Sequence, residues 1–104
     1  MLINNWYVAC SSDELVSGKS RRVQMLGCWF ALFRDRAGHA ICLADTCVHR
    51  GAALGDGELV EGDLACPYHG WRFGSDGRCT LIPAMGPDVV PPKRVRVDDY
   101  PTQE

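Results

Sequence analysis

A chain of 104 residues, 46% of them apolar and 23% charged, suits one domain with a small core. Its 11 Lys and Arg stand against 13 Asp and Glu, and the net charge of −2 excludes the basic surface that nucleic acid or an anionic membrane would demand. No run of 18 apolar residues is present, and the N-terminal Met1 to Tyr7 stretch has neither a basic nor an apolar leader pattern. The expectation is a cytoplasmic protein with no membrane span, whose partners are proteins or redox carriers.

In chain order the elements read as all-β. Trp6 to Cys10 predicts a short strand, and the S-x-x-E pattern from Ser11 to Glu14 predicts one helical turn ended by Gly18. Arg21 to Leu26 alternates polar and apolar residues, Cys28 to Phe33 is a continuous apolar run, and Gly27 between them marks a tight hairpin. Asp35-Arg36-Ala37-Gly38 is a turn with glycine where a positive φ is needed, and Ala40 to Ala44 is the return strand of a β-meander. A glycine-punctuated stretch follows, from Gly51 through Gly74. Ser75-Asp76-Gly77 signals another hairpin, and Val95-Arg96-Val97 alternates again before Tyr100. Pro83, Pro87, Pro91 and Pro92 make the stretch between Leu81 and Lys93 an extended connection without a ladder.

The glycine-punctuated stretch carries the chemistry. Cys47-Val48-His49-Arg50-Gly51 and Cys66-Pro67-Tyr68-His69-Gly70-Trp71 are a C-x-H and a C-x-x-H pair, each followed closely by glycine. Two thiolates and two imidazoles are the ligand set of a Rieske 2Fe-2S cluster, and one loop can hand a thiolate to one iron and an imidazole to the other. Glycine beside a ligand lets backbone N–H groups approach bridging sulfides that a side chain would block. Replacing two thiolates of an all-cysteine cluster by neutral imidazoles takes the oxidised charge from minus two to zero. An electron enters more easily, in the sense of the roughly −150 to +300 mV of Rieske centres against about −400 mV for plant-type ferredoxins. Zinc accepts the same four donors, so a zinc-stabilised interaction module stands as an alternative, although zinc sites usually open with C-x-x-C. The other cysteines, Cys10, Cys28, Cys42 and Cys79, lie in apolar or strand-like segments and read as buried free thiols.

These segments, together with Asn5 to Ala9, Arg50 to Leu54, Asp76 to Cys79, Ile82-Pro83 and Tyr100 to Glu104, make the chain resemble the N-terminal Rieske domain of Rieske non-haem iron oxygenases of the vanillate O-demethylase and pheophorbide oxygenase kind. The resemblance implies a Rieske fold, a small antiparallel β-sandwich or barrel spanning residues 1–104 as one domain, with a cluster-binding subdomain of two glycine-rich loops at about residues 45–75. It implies that Cys47 and Cys66 hold one iron and His49 and His69 the other. It implies a reductase or ferredoxin as electron donor and an oxygenase catalytic domain as acceptor. Respiratory Rieske proteins carry a bracing disulfide at the positions of Ala52 and Tyr68 and a serine at that of Trp71; none of the three is kept here. The resemblance thus implies a potential toward the low end of the Rieske range. Of three histidines two are committed to the cluster, and His39 reads as an exposed turn residue. No catalytic residue is therefore assigned in this chain, and oxygen activation is expected to take place elsewhere. A freestanding Rieske ferredoxin, shuttling between a reductase and a terminal oxygenase, is the second redox reading.

Overall fold

The computed structural model describes residues 6–45, 53–67, 70–86 and 88–104. Left-handed turn residues lay out its strands. Leu26 and Gly27, at φ 54° and 78°, join β1 (Arg21–Met25) to β2 (Cys28–Arg34), with Met25 facing Cys28. Two successive positive φ values give the hairpin turn whose twist matches that of the strands it connects. In the next turn the Asp35 carboxylate accepts hydrogen bonds from the N–H groups of Ala37 and His39, at 3.0 and 2.9 Å, and the chain returns as β3 (Ala40–Ala44). The meander expected from the sequence is present, antiparallel throughout.

Glu61 and Gly62 repeat the first turn, at φ 53° and 86°, between β4 (Glu58–Val60) and β5 (Asp63–Ala65). Gly77, at φ 82°, lies in the turn from β6 (Arg72–Phe73) to β7 (Cys79–Leu81). These strands form a sheet of order β4-β5-β6-β7, and β8 (Asp99–Tyr100) completes the other as β1-β2-β3-β8. Residues 95–100 pass from one sheet to the other. The Cys79 N–H donates to Val95 O and the Val97 N–H to Gly77 O, after which the Ala44 N–H donates to Asp98 O at 2.8 Å. The sandwich is thereby closed along one side. Among the described residues there is no α-helix, only 3-10 turns at Ser12–Glu14, Leu54–Asp56 and Pro83–Met85. None of these could cross a membrane.

Strand alternation directs two sets of side chains. Ala31, Phe33 and Leu43 of the first sheet meet Leu64, Phe73 and Cys79 of the second, joined by Leu54, Cys66, Ile82 and Val97. On the outer face of the first sheet, Val23, Leu32 and Cys42 are covered by Leu15, Ala9 and Cys10 of the N-terminal segment.

Three expectations are corrected. Trp6–Cys10 is not a strand and joins no ladder: Ala9 and Cys10 pack on the outer face of the first sheet, while Trp6, Tyr7 and Val8 are exposed. Val95–Val97 forms only an isolated bridge, Arg78 to Arg96, because the chain there is changing sheets. Of the cysteines expected to be buried, Cys42 and Cys79 are, but Cys10 is half-buried and Cys28, at the hairpin tip, is exposed.

Candidate metal centre

The second loop runs from Cys66 to Trp71, between the paired ends of β5 and β6. The Cys66 N–H donates to Trp71 O at 2.8 Å, and the Gly70 N–H donates back to Cys66 O at 3.0 Å. Gly70 has φ 74°, and a Cβ there would stand 3.5 Å from the Pro83 ring, so the 3-10 turn at Pro83–Met85 packs beside the loop. Cys66 itself is 3% exposed and in no disulfide, rooted in the core between the sheets. Trp71 is half-buried against that core.

The first loop leaves the end of β3 at Asp45 and returns at Ala53. Its base is drawn together by Asp45, which is 3% exposed. The Leu54 N–H donates to Asp45 O at 2.6 Å, and the Gly55 N–H donates to Asp45 Oδ1 at 2.6 Å. Asp45 Oδ2 accepts from Arg22 Nε at 2.7 Å. The Arg22 guanidinium lies 4.3 Å from the Trp29 ring centroid and 4.0 Å from Asp56. A buried carboxylate thus has a neutral donor on one oxygen and a charged donor on the other, the condition under which burying it is tolerable.

The two bases meet at Gly57. Any Cβ there would collide with the Ala65 carbonyl, one residue before Cys66. Leu54 and Cys66 share the same core. The structure therefore brings the return of the first loop against the start of the second. Cys47, His49 and His69 lie outside the described residues, as do Tyr68 and Arg50. The donor chemistry fits an iron–sulfur cluster. Cys66 is a buried cysteine in no disulfide, at the root of a loop whose described ends are joined by two hydrogen bonds, and its neighbour in the core, Cys79, is held as a neutral thiol. Burial pushes the Cys79 thiol up, and the Leu81 carbonyl takes its Sγ hydrogen at 3.6 Å. His39 is exposed, with Nδ1 3.4 Å from Asp35.

Asp45 and Arg22 escaped the sequence reading. A charged residue closing the apolar run Ala40 to Ala44, two positions before Cys47, was the available signal. Arg22 carried none, since alternation in β1 predicts a polar residue there.

The model of the Rieske [2Fe-2S] domain family matches residues 5–101. Over 83 residues the chain is 42% identical to chlorophyllide a oxygenase of Chlamydomonas reinhardtii, covering 80% of this chain and 13% of the relative. It is 39% identical to the 4beta-methylsterol monooxygenase of Methylococcus capsulatus over 101 residues, 96% of this chain and 27% of the relative. Its fold is similar to that of apo dicamba monooxygenase, with a TM-score of 0.85 and 41% identity, across 94% of this chain and 30% of the other. The chain thus spans only a small part, in these cases under a third, of the length of the proteins it matches.

Proposed function

The chain belongs to the Rieske [2Fe-2S] domain family, and on that premise we propose that residues 1–104 are a single electron-transfer domain serving a non-haem iron oxygenase site. Cys47 and Cys66 hold one iron of the Rieske-type cluster, and His49 and His69 hold the other. Bound there, the cluster takes up and releases one electron at a time. The chain's own residues supply placement. Gly57 lets the two loops approach, Asp45 and the Cys66–Trp71 bonds fix their bases, and Trp71 keeps water from the second loop. The relatives include oxygenases and oxygenase components, among them the oxygenase subunit of 3-chlorobenzoate-3,4-dioxygenase, which supports an oxygenase as acceptor and a reductase or ferredoxin as donor. Chloroplast relatives stand beside bacterial ones, so a cytoplasmic location is part of this proposal.

The observation that supports the reading is the approach of the described ends of the two loops at Gly57 and in one core, with Cys66 buried and in no disulfide at the root of the second. Metal and sulfide analysis of the purified protein tests it, with electron paramagnetic resonance after one-electron reduction. Two irons, two labile sulfides and a signal that Cys66→Ser abolishes are expected; a colourless zinc protein without a signal overturns it. With Trp71 at the position where respiratory proteins place a serine, redox titration should give a midpoint in the lower part of the range of roughly −150 to +300 mV. A high positive midpoint would contradict that part.

A further inference from the structure

Asp45 is the one buried charged residue among those described, and none of the four proposed ligands explains it. Its interactions all converge on one place. Backbone and carboxylate oxygens of this single residue take the N–H groups of Leu54 and Gly55, both at 2.6 Å, so it holds the point where the first loop returns. Its own N–H donates to Trp29 O at 3.3 Å, which anchors the point where the loop departs to β2. Arg22 supplies the compensating charge and is itself packed on Trp29. Gly55 is fitted to this arrangement. A Cβ there would come within 2.8 Å of Asp45 Oδ1 and run into the Arg22 side chain.

We infer that Asp45, with Arg22 as its counter-ion, is a positioning residue for the cluster: it clasps both ends of the first ligand loop and so fixes where Cys47, two residues on, is presented. The inference rests on the proposed ligand set. A loop with a free base samples many end-to-end separations, and each must be removed again when the cluster binds. A loop already closed at its base presents its thiolate pre-arranged, so iron is lost more slowly. Charge-assisted hydrogen bonds to a buried carboxylate are among the stronger ones available, enough for an effect of ~10-fold or more.

The test compares holoprotein of wild type, Asp45→Ala, Asp45→Asn and Arg22→Met. It reads iron release to a chelator, the paramagnetic resonance line shape of the reduced protein, and amide hydrogen exchange by peptide. Asp45→Ala is expected to release iron ~10-fold faster or more, with a broadened signal and faster exchange confined to the peptide spanning residues 45–56. Asparagine keeps an acceptor for Gly55 but turns its amide NH2 toward the Arg22 donor, so it should restore the retention only in part. Arg22→Met, which removes both the charge and the guanidinium over Trp29 while leaving Asp45 its backbone donors, should fall between. Wild-type iron release and line shape in Asp45→Ala overturn the inference. So does exchange that rises equally in all strands, or a variant that does not fold while Arg22→Met behaves as wild type, because Asp45 would then be a general folding residue. If the wild-type protein holds no cluster, the proposed function fails. The exchange measurement on residues 45–56 still reports the clasp separately.

Discussion

Gly57 has an ordinary backbone conformation, and its need for glycine comes from the other side: the Ala65 carbonyl occupies the space a Cβ would fill. Backbone cannot retreat as a flexible side chain can, so Gly57→Ala must push β4 from β5 or move the Cys66 root. The expected cost is ~1–3 kcal/mol by denaturant titration, with reduced iron content at equal folded fraction. Cys42 makes a second prediction at this scale. Burial in the outer core pushes its thiol up to about 11. The unfolded chain ionises the same thiol nearer 8.5 to 9, so the stabilising contribution is complete below that pH and is lost as pH climbs toward about 11. Stability followed from pH 8 to 11 should fall less steeply in Cys42→Ala than in wild type; parallel curves would refute the assignment.

Arg34, at the end of β2, connects elements that share no ladder. Its Nε donates to Leu15 O at 2.7 Å, Nη1 to Gly38 O at 2.8 Å, and Nη2 to Ser12 O and Glu104 Oε1 at 2.9 and 2.8 Å. Only a planar guanidinium serves three directions at once, so Arg34→Lys should behave nearly like Arg34→Ala. Both are expected to speed limited proteolysis after residues 6–16 while leaving the sheets protected. Retention of wild-type resistance in the lysine variant would show that charge alone suffices. The hairpins at Gly27, Gly38 and Gly77 were legible in the sequence because a turn imposes a backbone demand that few residues meet. The β4–β5 hairpin was not read, although Glu61-Gly62 sets the same turn as Leu26-Gly27, because its three-residue strands are too short to show alternation. Trp6–Cys10 shows the converse. Its aromatic and β-branched residues suit a pleated surface, yet Trp6, Tyr7 and Val8 stay exposed and only Ala9 and Cys10 reach the sheet, so composition misled where no partner strand was available. The cysteine–histidine spacings point to the proposed ligands, whereas Asp45 shows in the sequence only as a charge closing an apolar run, because its partners come from β1, β2 and the far end of its own loop.

At the scale of the molecule the first sheet separates two apolar clusters, and only the inner one includes Leu54, Cys66 and Trp71, at the described ends of the two proposed ligand loops. Phe73, fully buried between the sheets, and Leu15, in the outer cluster, should therefore fail differently. Phe73→Ala is expected to cost ~3–5 kcal/mol and to take iron content down with stability, and Leu15→Ala ~2–3 kcal/mol with iron content per folded molecule unchanged. Equal loss of iron in both would mean that the clusters act as one. The ends of the described chain have a bearing on this layout. Ser12 and Glu104 meet on one guanidinium, and the Thr102 hydroxyl reaches the Ala40 carbonyl, all at the start of β3, while the first ligand loop departs from its other end. Five strand residues, about 15 Å, lie between. In mechanical language the domain is clamped at one pole, and on the proposed ligand set its electrical contact belongs to the loop that leaves the other. Opening the chain in the Asp35–Gly38 turn, at the same pole as that guanidinium and remote from Asp45, should therefore leave the clasp intact and the cluster still loaded.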